Sequence, residues 1–297
     1  MITSQIIAPF TLKDLSEVYS NFSTIPELYK PLYETRQSQR PYEIVYEAAT
    51  LPNGALKPEG APTTSQNFGP VFRTQFNHKV YTSRFDMTRE AWDDNLYQED
   101  YPQKNKNLRE SLEQVNNING MVPFNQGFNI AFRLADAQPL YSISHPTSTG
   151  TFANTFPSPV GFNEATLTAA YSIIRYWVNY SNQPLNRIPE YMLIPPTLEM
   201  SVRRVLQSPD DPSTANRAIN PIYSANLVPG GFFSNPYLVN PDYWGLMTDQ
   251  KPGAIWYIRD NFEMTWQGDN TVDTVTFVGR VRYSNGIVDP RYSFGAR

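Results

Sequence analysis

Residues Tyr191–Leu206, Tyr-Met-Leu-Ile-Pro-Pro-Thr-Leu-Glu-Met-Ser-Val-Arg-Arg-Val-Leu, constrain the fold more than any other stretch of this chain. A short apolar run, Tyr191–Ile194, stops at Pro195-Pro196. A helical pattern follows at once, with Leu198, Val202, Val205 and Leu206 on one face. Proline is tolerated at the first helical position because the N–H it lacks would be unpaired there anyway. The stretch reads as a buried strand feeding directly into a helix.

Other segments carry their own patterns. Tyr42–Thr50 and Val71–Phe85 read as strands, the second with Phe72, Thr74, Phe76, His78, Val80, Thr82 and Arg84 on one face. Leu51–Pro70 between them holds Pro52, Asn53-Gly54, Pro58, Gly60, Pro62, Gly69 and Pro70. Compact hairpin loops take ~2–5 residues, so this pair should form an extended flap reaching away from the body. Asp86–Asp94 should open a helix capped by Asp86 or Thr88. Lys104–Asn119 continues helically through Leu108, Leu112 and Val115 until Gly120 and Pro123 end it. Asn163–Val178 is the clearest helix, with Leu167, Ala170, Tyr171, Ile174 and Trp177 in phase and Asn163 or Thr166 as cap. Short strands are expected at Tyr237–Val239, Tyr243–Met247, Ile255–Ile258 and Phe262–Trp266, followed by Val272–Tyr283. A hairpin turn is expected at Ser284-Asn285-Gly286, since both Asn and Gly accept positive φ. Residues 1–41 read as an arm, with one amphipathic helix at Thr11–Phe22 before Pro26, Pro31 and Pro41.

Composition removes whole classes of function. The absence of cysteine excludes disulfide scaffolds, thiolate metal sites and Cys nucleophiles. A net charge of −4 gives no reason for charge-driven binding to DNA or anionic membrane. No run approaches the ~20 apolar residues of a membrane span. The N-terminus lacks the basic start and apolar core of a signal peptide, so a reducing cytoplasm is expected. The 19 tyrosines and 26 prolines describe long ordered loops and wide contact surface, not a disordered chain poor in aromatics.

Catalytic chemistry has little to work with. No Gly-x-Ser-x-Gly, His-Glu-x-x-His, Walker loop or dinucleotide glycine pattern occurs. Of the two histidines, His78 falls on a strand face and His145 before a proline, where it reads as a turn residue without a paired nucleophile. Asp93, Asp94, Glu99 and Asp100 lack the spacing that wraps calcium and suit the first turn of a helix instead. No catalytic, cofactor-binding or metal-binding residue is assigned.

The order of these segments resembles the major capsid subunits of tailed phages, of the Hong Kong-97-type fold and in particular its Mu-like head-subunit branch. The resemblance spans roughly residues 40–292. It rests on Tyr81-Thr-Ser-Arg-Phe-Asp-Met-Thr-Arg-Glu at the end of the flap and on Asp93-Asp94-Asn95-Leu96-Tyr97 opening a long helix. Further along it rests on Pro139-Leu-Tyr-Ser-Ile-Ser-His145-Pro146, on the Pro195-Pro196 segment, and on Phe277-Val-Gly-Arg-Val-Arg-Tyr-Ser-Asn-Gly-Ile-Val-Asp-Pro-Arg near the end. It implies an α+β phage capsid fold with an N-terminal arm (1–41) and an extended two-stranded loop (42–85, flap at about 46–80). A peripheral domain with a spine helix (86–136 and 269–297) and an axial domain (137–268) complete it. The prolines and aromatics of 229–252 match nothing in the family pattern.

The implied function is a non-enzymatic major capsid protein that self-assembles, through hexamers and pentamers, into the icosahedral head enclosing double-stranded DNA. The DNA would be packaged without sequence readout, no membrane would be involved, and assembly would take place in the bacterial host cytoplasm. A separate scaffolding protein, a portal and decoration proteins are the further partners implied. Lys57 and Glu59 at the flap tip, and Arg280 and Arg282 on a strand face opposite Val281 and Tyr283, are the expected assembly contacts. Some members of the fold join a loop lysine to a neighbour's asparagine, with a glutamate as base. Glu59 favours the charged form of Lys57 and Pro58 sets it in an exposed turn, so an uncross-linked shell is expected. A β-rich glycan-binding module or glycan-degrading enzyme would also suit the aromatic content, but it needs a secretion signal and a carboxylate pair. A tail or decoration protein of the virion is the remaining alternative.

Overall fold

The structure, a computed structural model, describes residues 25–48, 50–51, 53–54, 56–60, 62–63, 65, 70–88, 90–91, 97–210, 219–269 and 273–297. The first strands are β1 (Glu34–Gln37), β2 (Tyr42–Ala48), β3 (Pro70–Asn77) and β4 (Lys79–Thr88), followed by the long helix α1 (Tyr97–Asn125). Then come β5 (His145–Pro146), β6 (Thr151–Phe152), α2 (Glu164–Arg175), β7 (Pro189–Ile194), α3 (Glu199–Gln207) and α4 (Pro221–Ser224). The chain closes with β8 (Phe232–Ser234), β9 (Trp244–Thr248), β10 (Ala254–Asp269), β11 (Thr274–Ile287) and β12 (Ser293–Ala296). Two compact units result: unit 1 is Met1–Glu43, Phe76–Gly120 and Trp256–Asn285, and unit 2 is Ile44–Gln75, Met121–Ile255 and Gly286–Arg297. Among the described residues no helix is long and apolar enough to cross a membrane.

Unit 1 is a four-stranded sheet, ordered β1-β10-β11-β4, with α1 on one face. Alternation along β11 buries Phe277, Gly279, Val281 and Tyr283 and leaves Arg280 exposed. A methyl group on Gly279 would stand 3.1 Å from Leu112 Cδ1 and 3.2 Å from Leu108 Cδ2, so this glycine sets how closely helix and strand approach. Beside it runs an aromatic stack: Tyr29 on Trp256 (4.1 Å between centroids), Trp256 on Tyr283 (4.5 Å) and Tyr283 on Tyr81 (4.9 Å).

Several sequence expectations fail here for physical reasons. The run Val71–Phe85 is two strands, not one. Thr74 and Phe76 turn inward in β3, but Tyr81, Ser83, Phe85 and Met87 turn inward in β4, so the alternation changes phase at His78. One extra residue flips every following side chain. Asp86 is therefore a strand residue, accepting a hydrogen bond from Thr276 Oγ1 (2.6 Å), while Thr88 receives the Ala91 N–H (3.4 Å). Gly120 and Pro123 do not end the helix, which runs to Asn125. Pro123 cannot bond the Asn119 carbonyl, and Asn285 Nδ2 donates to that oxygen instead (2.9 Å). Asn285 is thereby held in β11, which continues through Gly286 to Ile287, and the hairpin expected at Asn285-Gly286 does not form. The expected strands Ile255–Ile258 and Phe262–Trp266 are likewise one 16-residue strand, β10.

Unit 2 is built on the sheet β12-β9-β7-β8, where β7 pairs parallel with β8 and antiparallel with β9. The strand Pro189–Ile194 does turn into a helix at the two prolines, through one 3-10 turn over Pro196–Leu198. Val202 and Val205 of α3, with Leu167, Ala170 and Ile174 of α2, close over Met192, Ile194, Trp244, Leu246 and Phe294. Asn163 caps α2 by accepting the Thr166 N–H (2.8 Å), and Thr166 Oγ1 accepts the Asn163 N–H in return (2.9 Å). That helix ends at Arg175, before Trp177, whose indole N–H donates to Ala153 O (2.8 Å). Tyr237–Val239 is no strand, because Asn125 takes the place of a strand partner. Its Nδ2 donates to Tyr237 O (2.9 Å) and its Oδ1 accepts the Val239 N–H (3.0 Å).

Candidate functional site: the flap root and the arginine strand

β2 and β3 form a separate two-stranded sheet, the flap. At its root, within unit 2, Glu47 of β2 meets the turn that follows β11. Arg291 Nη1 donates to Glu47 Oε1 (3.0 Å) and Asp289 Oδ1 (3.2 Å), and Arg291 Nε donates to Val178 O (2.7 Å). The guanidinium lies 4.4 Å above the Phe152 ring. Asp289 is fixed independently, since its Oδ1 accepts the Arg291 N–H (2.8 Å) and caps the 3-10 turn Pro290–Tyr292. Two carboxylates thus share one cation, with Asp289 and Arg291 buried and Glu47 half-buried. Burial pushes the Glu47 carboxyl up to about 7. The Asp289 charge adds to that shift, and Arg291 opposes it. A cavity of about 300 Å³ opens beside the cluster, bordered by Tyr46, Thr50, Tyr180, Arg187 and Lys251. The flap is also held by Ser181 Oγ donating to Thr50 O, Gln183 Nε2 to Asn53 Oδ1 (2.7 Å), and Phe72 edge-on to Tyr180 (5.9 Å).

Behind this root stands a buried polar hub. Asn154, fully buried, donates through Nδ2 to the carbonyls of Leu140 (2.6 Å), Pro290 (3.1 Å) and Ser293 (3.1 Å). Its Oδ1 accepts the Ser142 N–H (2.9 Å) and lies 3.1 Å from His145 Nε2. His145 Nδ1 stands 2.6 Å from Asp136 Oδ2. An Asp–His pair of this kind orients a base in hydrolases, but here Nε2 faces Asn154 Oδ1 and Leu140 O, not a serine hydroxyl, and the ring is fully buried. In unit 1, His78 Nε2 and Nδ1 lie 3.0 Å and 2.9 Å from Ser38 Oγ and Ser284 Oγ, and burial, then the Arg282 charge, lowers its pKa. His145 thus bonds a backbone carbonyl, and His78 bridges two serine hydroxyls.

Of the residues expected to make assembly contacts, Lys57 and Glu59 are exposed, beside Leu56 at 95% exposure and the left-handed Gly60 (φ +78). Arg280 is exposed and reaches Asp260 at 3.5 Å. Arg282, opposite Val80 in the ladder, is half-buried, and its Nε has no hydrogen-bond partner among the described residues. Phe277, Val281 and Tyr283 occupy the other face, as the alternation predicts. The amphipathic helix expected at Thr11–Phe22, and Asp93 and Asp94 of the acidic stretch, lie outside the described residues. Glu47, Arg291 and Asn154 went unassigned from sequence. Asp289-Pro290-Arg291, an Asp before proline that bonds its own backbone two residues on, is the signal that could have marked the turn.

The family described as phage capsid protein matches residues 129–294, more than half of the 297-residue chain. Comparison with curated proteins finds no match. Among solved structures, the capsid of the native GTA particle is similar at TM-score 0.58 and 8% identity, over 92% of this chain and 90% of that one. Mycobacterium phage Patience gives TM-score 0.57 at 10% identity, over 100% and 88%. A virus-like particle from Pyrococcus furiosus gives 0.51 at 10% identity, over 96% and 98%. At such identities these likenesses establish the fold, and the family match carries the rest: the chain belongs to the phage capsid protein family and is a major capsid protein of a phage head shell.

Proposed function

We propose that this subunit acts by assembly alone, without catalysis, tiling hexamers and pentamers into a head around double-stranded DNA that it contains but does not read. The family match over residues 129–294 is the observation that carries this reading. Residues 137–268 serve as the axial domain around capsomer axes. Residues 86–136 and 269–297, with α1 as spine helix, serve as the peripheral domain, and the N-terminal arm and the flap lie across neighbours. Lys57, Glu59, Arg280 and Arg282 contribute to those contacts. The exposure of Lys57, Glu59 and Arg280 suits a polar interface rim, where charges set specificity and register more than raw affinity. The order of the motifs favours the Mu-like branch. A separate scaffolding protein, a portal and decoration proteins are the remaining partners, and assembly belongs in the host cytoplasm. Co-expression with and without a scaffolding protein tests the reading: capsomers, tubes or shells should appear by size exclusion. A species that stays monomeric under every condition contradicts it.

A further inference from the structure

We infer that Glu47, Asp289 and Arg291 form a proton-operated latch at the flap root, closed while one carboxylate holds a proton and loosened when both are ionised. The geometry supplies one donor group, Arg291 Nη1, for two carboxylates, at 3.0 and 3.2 Å. Arg291 cannot turn to serve them separately, because its Nε is bound to Val178 O and its plane rests on Phe152. Asp289 Oδ1 also accepts the Arg291 backbone N–H, and the latch is assigned its proton on Glu47. The other charged groups facing Glu47 are Asp136, paired with His145, and Arg187 and Lys251 across the cavity. Of these, Asp136 reinforces the preference for a neutral Glu47.

The consequence falls on the flap. With Glu47 protonated, the latch has a net charge of zero and β2 stays docked. With Glu47 ionised, two negative charges face one positive charge. Docking then rests on the Thr50, Asn53 and Phe72 contacts, all of which are uncharged. Because the docked carboxyl titrates at about 7 and the free one at 4.5, docking is favoured by protons. The released-to-docked ratio should therefore climb between those two pH values, by about 40-fold from pH 5 to pH 7, and level off above. The latch goes beyond the assembly reading and does not depend on it, since it is a property of one chain.

The chain has no cysteine, so spin labels attach only where cysteines are introduced. Leu56→Cys on the flap and Tyr176→Cys on the body, 95% and 84% exposed and both in unit 2, provide the pair. Their distance distribution is read by double electron–electron resonance in labelled chain diluted with unlabelled chain. The wild-type background should show the pH-driven rise in the long-distance population, and Glu47→Gln, which stays neutral, should show none. Should Glu47→Gln fail to fold, Asp289→Asn, which removes the repelling charge but leaves the burial of Glu47, should give a smaller rise than wild type. A wild-type distribution indifferent to pH, or an equal rise in Glu47→Gln or Asp289→Asn, overturns the latch. Shells that form normally with a pH-indifferent flap refute the latch alone, and a switching flap on a chain that never assembles refutes only the proposed function.

Discussion

Replacing Asn154 by alanine should be among the most damaging single changes in unit 2. The side chain spends all its hydrogen-bonding capacity inside the protein: the two hydrogens of Nδ2 are shared among three carbonyls, and Oδ1 meets an N–H and an imidazole nitrogen. Truncation leaves the Ser142 N–H as the clearest orphan, whereas the Pro290 carbonyl keeps the Ser293 N–H. The Leu140 carbonyl keeps His145 as a neighbour. Each buried group left unpaired costs about 1–3 kcal/mol, partly relieved if water enters the vacated space. That orphan, with the hydrogen bonds lost at the carbonyls at about 0.5–1.5 kcal/mol each, makes a loss of about 3 kcal/mol, a large share of the 5–15 kcal/mol typical of a domain. For a unit of this size that corresponds to roughly 6–12 °C in melting temperature. Asn154→Asp should be worse despite its shape, since carboxylate oxygens would face three carbonyls in place of N–H groups. Thermal unfolding of the soluble subunit followed by circular dichroism makes the comparison. An Asn154→Ala protein melting within about 2 °C of wild type would show that the hub adds little to the fold.

Three further outcomes follow from the assembly elements. Deleting residues 52–69 should leave a folded subunit that forms no stable shell, because the segment between β2 and β3 is expected to take its partners from neighbours; unfolding of the deletion variant would place it in the subunit's own core. Charge reversal at Arg280 and Arg282 together should reduce particle yield more than it lowers melting temperature, and equal losses would mark the pair as internal to unit 1. Boiled particles should run in denaturing gels as one band near 33.9 kDa, whereas an oligomer ladder abolished by Lys57→Ala would reveal a covalently joined shell.

What the sequence made legible was local. The capped α2, the strand stopped by Pro195-Pro196 and the inward–outward alternation of β11 each depend on neighbours a few residues away, and each is found where periodicity puts it. The misreadings involve partners far along the chain. Asn285-Gly286 carries a sound turn signal, yet a carbonyl freed by Pro123, 162 positions earlier in the numbering, holds Asn285 in a strand. The strand at Tyr237–Val239 was expected from its apolar residues, and Asn125 supplies its hydrogen bonds from the end of a helix. The phase change at His78 leaves no local trace, because both halves alternate correctly by themselves. The flap root was hidden for the same reason: Glu47 and Arg291 are 244 positions apart, and only folding makes one cation answer for two acids.

The most direct test of the central claim is electron microscopy of the purified, expressed protein under conditions that favour assembly, with scaffolding protein present and absent. A major capsid protein should give closed shells, or tubes and sheets with hexameric order, as the dominant species. Fields of discrete particles the size of single chains, unchanged by concentration, salt or scaffold, would contradict the account.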